Sequence, residues 1–446
     1  YPRSVAPGSS IVKSAKLLIM ITQENHKKLA IIVGGGPAPG INGVIHSVTI
    51  EAINEGLEVF GILDGYTHLV KGELKALPLT IQDVSRIHLR GGSILHTART
   101  NPTASPEAMR NTVQTLLDAG VSYLVSIGGD DTAFSAYKVA QFAREQRGAS
   151  LQVVHVPKTI DNDVPLPYGV PTFGYETARE VGARVMMNIM EDALTGQRWF
   201  LVVTMGRKAG HLAMGIGKGS GATITLIPEE WEGRRIRLQE VVDILATSLI
   251  MRLVDGKPYG VALVAEGVIE EIEPDDLKDL KTVERDAHGH IRLSEINFSD
   301  IVKRTLRDQL KELGINVNIV NLDLGYEMRC APPIAYDIDY TRSLGEAAVD
   351  FLLDGGTDAI IALADDRIIP LPFESMMDPE TGRTQVRKVR IDSFAYQSSL
   401  RFQIRLKPQN ADDEELWKRM AAQTNLTTEQ FKARFGYLSG IAARPF

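Results

Sequence analysis

Leu29-Ala30-Ile31-Ile32-Val33 runs into Gly34-Gly35-Gly36-Pro37-Ala38-Pro39-Gly40 and then into a helical pattern from Ile41 to Asn54. Five consecutive apolar, β-rich residues without polar alternation are expected of a strand buried on both faces of a parallel sheet. The glycines and prolines end that strand and open a helix. Gly56 closes the helix, and Leu57 to Leu63 reads as a second strand. Strand, helix, strand is a βαβ unit, so the fold class is α/β with a mostly parallel sheet.

The rhythm recurs. Ser105-Pro106-Glu107 caps a helix that closes at Gly120, Tyr123 to Ile127 is a strand, and a helix to about Arg144 leads to the strand Leu151 to Val156. A long helix over Tyr175 to Ala193 opens a second set: strands Trp199 to Thr204 and Ile224 to Ile227, helix Leu238 to Leu253, strand Gly260 to Ala265. Glu270 to Glu295 breaks the pattern and reads as an excursion, its acidic part to Asp279 being a solvated helix face. Helix Ser299 to Leu313 and a strand near Val317 to Leu322 resume it; helix Thr341 to Leu353 and strand Ala359 to Leu363 look like a return to the first set. The last 75 residues differ, with a strand-rich stretch near Val386 to Arg405 and two helical pieces, the second capped by Thr427-Thr428-Glu429-Gln430.

The chain of 446 residues is long enough for two or three domains. Its 44% apolar and 24% charged residues are globular composition, and a net charge of −7 argues against nucleic acid as the main partner. No apolar run approaches the roughly 20 residues of a membrane span. The single cysteine, Cys330, rules out an internal disulfide and fits a reducing, cytoplasmic setting. Residues 1–27 read as an arm or an expression remnant, Met20 being a natural start.

Ligands of open α/β sheets bind beyond the carboxyl ends of the strands, and three marked loops sit at such ends. Gly34 to Gly40 lets backbone amides approach phosphate oxygens at a helix N-terminus, though a tight turn without ligand fits it equally. Gly128-Gly129-Asp130-Asp131-Thr132 offers space and carboxylates able to hold Mg²⁺ through water, or is a glycine turn with an aspartate cap. Thr159-Ile160-Asp161-Asn162-Asp163 offers a proton acceptor beside a second carboxylate, or a plain polar loop of Asx turns.

Taken in order, Gly35 to Asn42 (Gly-Gly-x-Ala-Pro-Gly-x-Asn), Gly128 to Thr132, Pro157 to Asp163, Met205-Gly206-Arg207 and Ala265-Glu266-Gly267 resemble the phosphofructokinase family, over about residues 29–366. The resemblance implies two Rossmann-like domains with the active site in the cleft between them. The phosphoryl-donor domain would be residues 28–172 with 330–370, the fructose 6-phosphate domain 173–329, and a C-terminal extension 371–446 would cap the cleft or build an interface. It makes Asp161 the base that takes the proton of the sugar 1-hydroxyl, with Thr159 and Asp163 contacting sugar phosphate and metal, and Asp130 the Mg²⁺-associated carboxylate. Gly35, Gly36, Gly129 and Arg99 would meet the phosphate donor; Met205, Gly206, Arg207 and Glu266 the sugar; Tyr326 and Arg329 its 6-phosphate. Arg198 would reach the site of a neighbouring subunit, which requires at least a dimer, expected to be a homodimer.

Two positions bear on the donor. ATP-using members similar to this chain commonly carry glycine where it has Asp131 and Lys158. A carboxylate at the first site crowds and repels a nucleotide phosphate, and an ammonium at the second suits pyrophosphate. The resemblance is therefore to the pyrophosphate-dependent branch, with Asp161, Lys158 and Asp131 as its catalytic set. The alternatives are an ATP-dependent enzyme, a non-catalytic regulatory subunit, and a kinase acting on NAD or a lipid alcohol. The chain departs from many bacterial members where Ile319-Val320-Asn321 offers no second trans arginine, where Tyr326 replaces a histidine, and where Cys330-Ala331 replaces Gly-Gly. His288-Gly289-His290 reads as a polar loop, Trp199 and Phe200 as core, and Cys330 as a thiol without a catalytic partner.

Overall fold

A computed structural model describes residues 27–148, 151–167, 169–277, 297–365, 367–378, 380 and 384–441. The N-terminal arm to residue 26 and the His288-Gly289-His290 loop lie outside them.

The chain opens with β1 (Lys28–Val33), α1 (Ile41–Asn54), β2 (Glu58–Ile62) and β3 (Ala76–Pro78), followed by α2 (Pro106–Asp118), β4 (Val121–Gly128), α3 (Asp130–Arg147) and β5 (Gln152–Pro157). It crosses through α4 (Tyr175–Gly196) to β6 (Trp199–Thr204), α5 (His211–Ser220), β7 (Ile224–Leu226), α6 (Leu238–Val254), β8 (Gly260–Ala265), α7 (Phe298–Glu312) and β9 (Ile319–Leu324). It then returns through α8 (Ala335–Leu353) to β10 (Ala359–Ala364) and β11 (Arg367–Pro372), and finishes with α9 (Phe394–Arg401), α10 (Glu414–Ala421) and α11 (Thr428–Phe435).

The strands form a seven-stranded sheet, β11-β10-β5-β4-β1-β2-β3, and a four-stranded sheet, β7-β8-β6-β9. Among the described residues every pairing in the second sheet is parallel, and in the first only the edges β3 and β11 run antiparallel. The apolar run of β1 is explained by its neighbours. Leu29, Ile31 and Val33 share a core with Ile41, Val44 and Val48 of α1 and Leu344 of α8. Ala30 and Ile32 face the other way, into a core with Val113 and Leu116 of α2 and Ala136 of α3. Both faces are thus covered, as a parallel strand requires.

The second sheet has its own core, and Trp199 and Phe200 are buried in it. Tyr396, Leu406, Trp417, Met420, Phe431 and Phe435 of the C-terminal segment pack into that same core. Thr427 and Gln430 cap α11 reciprocally, as the sequence motif indicates.

Two expectations are corrected, and one helix is new. Residues 386–405 hold no strand; Ser393 accepts a hydrogen bond from the Tyr396 amide and starts α9 instead. The acidic run from Glu270 is not a continuous helix: a short turn of helix ends at Glu271, and Ile272 and Leu277 are buried beneath it, while 278–279 lie outside the described residues. Helix α5 has no counterpart in the sequence reading; it carries three glycines, and a side chain on Gly217 would strike Thr225, so glycine there permits close helix–strand packing. Among the described residues no helix is long and apolar enough to cross a membrane.

Candidate active site

β1 lies between β2 and β4, so the loops leaving β1 and β4 diverge from a switch point in the first sheet. Both loops are glycine-built for a shared reason. A Cβ on Gly34 would stand 2.5 Å from Thr132 Oγ1, and one on Gly128 would strike Thr132 as well, so that threonine is wedged between the two. The Gly34 amide donates to Ile127 O at 2.9 Å, and the Gly35 amide, at φ 82°, donates to Ala98 O at 2.9 Å. The second bond brings the segment carrying Arg99 to the rim of the loop. Asp130 and Asp131 occupy the first turn of α3, where the helix dipole favours negative charge.

Lys158 follows β5 and is only 5% exposed. Its amide donates to Gly128 O at 2.7 Å, and its ammonium Nζ donates to Gly36 O at 2.5 Å. It is therefore no solvated surface cation. Burial lowers its pKa from 10.5 to about 8; Arg329 adds to this, while Asp161 and Asp163 oppose it. Behind it, buried His155 donates Nε2–H to Gly128 O at 3.0 Å.

The Asp161 amide donates to Thr159 Oγ1 at 3.0 Å. Asn162 sits at φ 56°, and its Oδ1 accepts from the Thr172 amide at 3.0 Å. This turn leaves Asp161 Oδ1 buried with no hydrogen-bond partner among the described residues. Burial raises the Asp161 pKa, with Asp163 and Glu266 adding and Lys158 and Arg329 opposing. Asp163 is raised too, by burial and then by Asp130. A desolvated carboxylate with an open oxygen beside cations is equipped to take a proton.

The second sheet supplies the opposite wall from the ends of β6, β8 and β9. Gly206 adopts φ 130°, and a side chain on Gly267 would strike the Arg207 carbonyl. The Glu266 amide donates to Thr204 O at 2.9 Å, and burial raises the Glu266 carboxyl. Arg207 pairs with Glu270 at 2.9 Å. Met205 packs where a Gly325 side chain would be. Tyr326 is 70% exposed, with the Arg329 guanidinium 5.5 Å from its ring centroid. Arg329 crosses the cleft: a side chain on Gly36 would overlap its guanidinium.

Arg198 stands apart. It lies at the opposite end of β6 from Met205, pairs with Asp192 at 2.5 Å, and stacks 5.3 Å from the Phe200 ring centroid. The six-residue strand holds it roughly 20 Å from the loops of its own chain. Two participants escape the sequence reading. Lys208 pairs with Asp130 Oδ2 at 3.2 Å; its place beside Met205-Gly206-Arg207 is the available signal. Arg387 reaches the Asp161 loop from the C-terminal segment, and nothing in its surrounding sequence marks it. Among the described residues no three His, Cys, Asp or Glu side chains gather as a preformed metal cage.

Glycine amides, cations and a buried carboxylate at facing strand ends are suited to phosphoryl transfer, where positioning and charge do most of the work. The model of the family Phosphofructokinase matches residues 28–352, and the chain belongs to that family. It is 49% identical over 421 residues to the Pyrophosphate--fructose 6-phosphate 1-phosphotransferase of Thermotoga maritima, covering 93% of this chain and 99% of that one. It is 46% identical over 429 residues to the protein of the same name from Naegleria fowleri, covering 94% and 97%. Among solved structures, a pyrophosphate-dependent phosphofructokinase from Nitrosospira multiformis shares the fold with a TM-score of 0.65 at 16% identity, over 89% of this chain and 91% of that one.

Proposed function

We propose that this protein reversibly transfers a phosphoryl group from pyrophosphate to the 1-hydroxyl of fructose 6-phosphate, giving fructose 1,6-bisphosphate and phosphate. The observation that carries the donor assignment is Lys158: an ammonium buried against Gly36, where the family's ATP users commonly have no side chain. Asp131, in the first turn of α3, adds a negative charge where a nucleotide's further phosphate would lie. The relatives at 49% and 46% identity carry the pyrophosphate name.

In the mechanism, Asp161 Oδ1 takes the proton as the 1-oxygen attacks the near phosphorus of pyrophosphate and inorganic phosphate leaves. Lys158 and Arg329, both facing Gly36, meet the charge that develops on the transferred group, a place for Arg329 that differs from the 6-phosphate contact expected from the sequence. Thr159 and Asn162 hold the loop so that Asp161 points into the cleft. Glu266 and Arg207 orient the sugar, and Tyr326 its 6-phosphate.

Mg²⁺ fits the donor set. Asp130 with Asp163 gives hard oxygen ligands of the one-or-two-carboxylate kind that Mg²⁺ uses alongside substrate phosphates, and burial, then the charge of Asp130, raises Asp163. Held by these carboxylates, the cation would supply positive charge to offset that of the phosphate donor. Residues 28–172 with 330–370 form the donor domain, and residues 173–329 the sugar-phosphate domain. Arg198, out of reach of its own site, completes that of a partner in a cytoplasmic homodimer.

The test is an assay with pyrophosphate and ATP side by side, in both directions, on the parent and on Asp131→Gly/Lys158→Gly. The expectation is pyrophosphate turnover in both directions in the parent, and a swing of donor preference towards ATP in the double variant. Faster parental turnover with ATP refutes the assignment.

A further inference from the structure

The segment that follows the first sheet makes its most specific contacts at the base loop. The Arg387 amide donates to Asp163 O at 2.8 Å. Its guanidinium donates from Nε to Asn162 O at 3.0 Å, from Nη1 to Val170 O at 2.6 Å, and from Nη2 to Asn162 Oδ1. On the other side, His211 donates Nε2–H to the Arg387 carbonyl at 3.2 Å, and Glu229 Oε1 accepts from the Val389 amide at 2.9 Å. Glu229 also accepts from the Gly210 amide at 2.9 Å, at the start of α5. One short strap thus ties the loop between Asp161 and Asp163 to the second half of the molecule.

The geometry at Asn162 gives that strap work to do. Asn162 sits at φ 56°, in the left-handed region that asparagine enters more readily than most side chains, and its hydrogen bonds hold it there. Arg387 takes both Asn162 oxygens, and this fixed turn leaves Asp161 Oδ1 buried and, among the described residues, unpartnered. A planar fork reaching three acceptors is something an ammonium cannot reproduce.

We propose that Arg387 is a positioning residue for the base: it locks the Asn162 turn so that Asp161 meets the sugar hydroxyl, which makes the C-terminal segment a working part of the active site. The inference rests on the reading of Asp161 as base. A misplacement of about 1 Å costs about 100-fold in such reactions, so Arg387→Ala should lose about 100-fold in kcat and Arg387→Lys about 10-fold. KM for either substrate should stay within about threefold, and added guanidinium should restore part of the Arg387→Ala activity. Amide hydrogen exchange over residues 159–172 should quicken about tenfold in both variants, with β1 and β4 unchanged. A kcat within twofold of the parent, or a raised KM with kcat kept, overturns the proposal. Should Arg387→Ala fail to fold, Arg387→Lys decides. A parent with no phosphoryl transfer would sink the functional reading instead, and unchanged exchange over 159–172 would still overturn the role of Arg387.

Discussion

Replacing Lys158 with methionine should make the enzyme far slower and the fold no weaker at neutral pH. Methionine matches the length of the lysine stem but carries no charge. In the folded protein the ammonium pKa drops from 10.5 to about 8, which corresponds to about 3 kcal/mol of unfavourable charge burial below pH 8. The sign follows from the direction: a lowered lysine pKa penalises the fold fully below about 8 and progressively less as pH rises towards 10.5. Losing the bond to Gly36 O costs about 1–3 kcal/mol in return. The net change at pH 7 is therefore a stabilisation of about 0–2 kcal/mol that shrinks or reverses by pH 10. Catalysis moves the other way, since removing one pre-placed donor from a developing oxyanion costs about 100- to 1,000-fold. Thermal melts at pH 7 and 10 together with kcat/KM for pyrophosphate read both effects. A variant that melts well below the parent at pH 7, or that keeps kcat/KM within threefold, refutes the reasoning.

Asp161→Ser should lower kcat by several orders of magnitude while sparing fructose 6-phosphate binding, measured by calorimetry. Because burial raises the Asp161 pKa, its ionisation penalises the fold increasingly above its ordinary value of 3.8; the variant should out-melt the parent at pH 8 but not at pH 4. The same shift places the acid limb of the parent's kcat/KM profile well above pH 4. Arg405 and Glu230 form a buried ion pair at 2.9 Å, with side chains 4% and 5% exposed. Arg405→Met should cost about 3–5 kcal/mol in urea unfolding, and Arg405→Met/Glu230→Leu should recover most of it.

Much of the architecture was legible because parallel strands buried on both faces leave uninterrupted apolar runs, as in Leu29–Val33 and Trp199–Thr204. Helix α1 was legible to its ends because Gly40 and Gly56 bracket it. Residues 386–405 misled because their apolar side chains follow no period; they fill gaps against a core built elsewhere, and Ser393 decides the local structure. The loops of the site were visible as glycine clusters at strand ends. What could not be read is contact across long separations: the Arg329 guanidinium over Gly36, and Arg387 on Asn162, 225 residues away in the chain. Neither leaves a local pattern, since an arginine's reach is set by folding and not by its neighbours in sequence.

The interleaved order of the first sheet bears on biosynthesis. β5 pairs through Val154 with Ala359 of β10, so a nascent β5 has an unsatisfied edge until about 200 more residues emerge. At about 5–20 residues per second the ribosome takes roughly 10–40 seconds to deliver that partner. The strands of the four-stranded sheet are all made within that interval, although the C-terminal residues that complete its core come later still. Until β10 arrives, the earlier-made half keeps a hydrogen-bonding edge open to any chaperone or neighbouring polysome product.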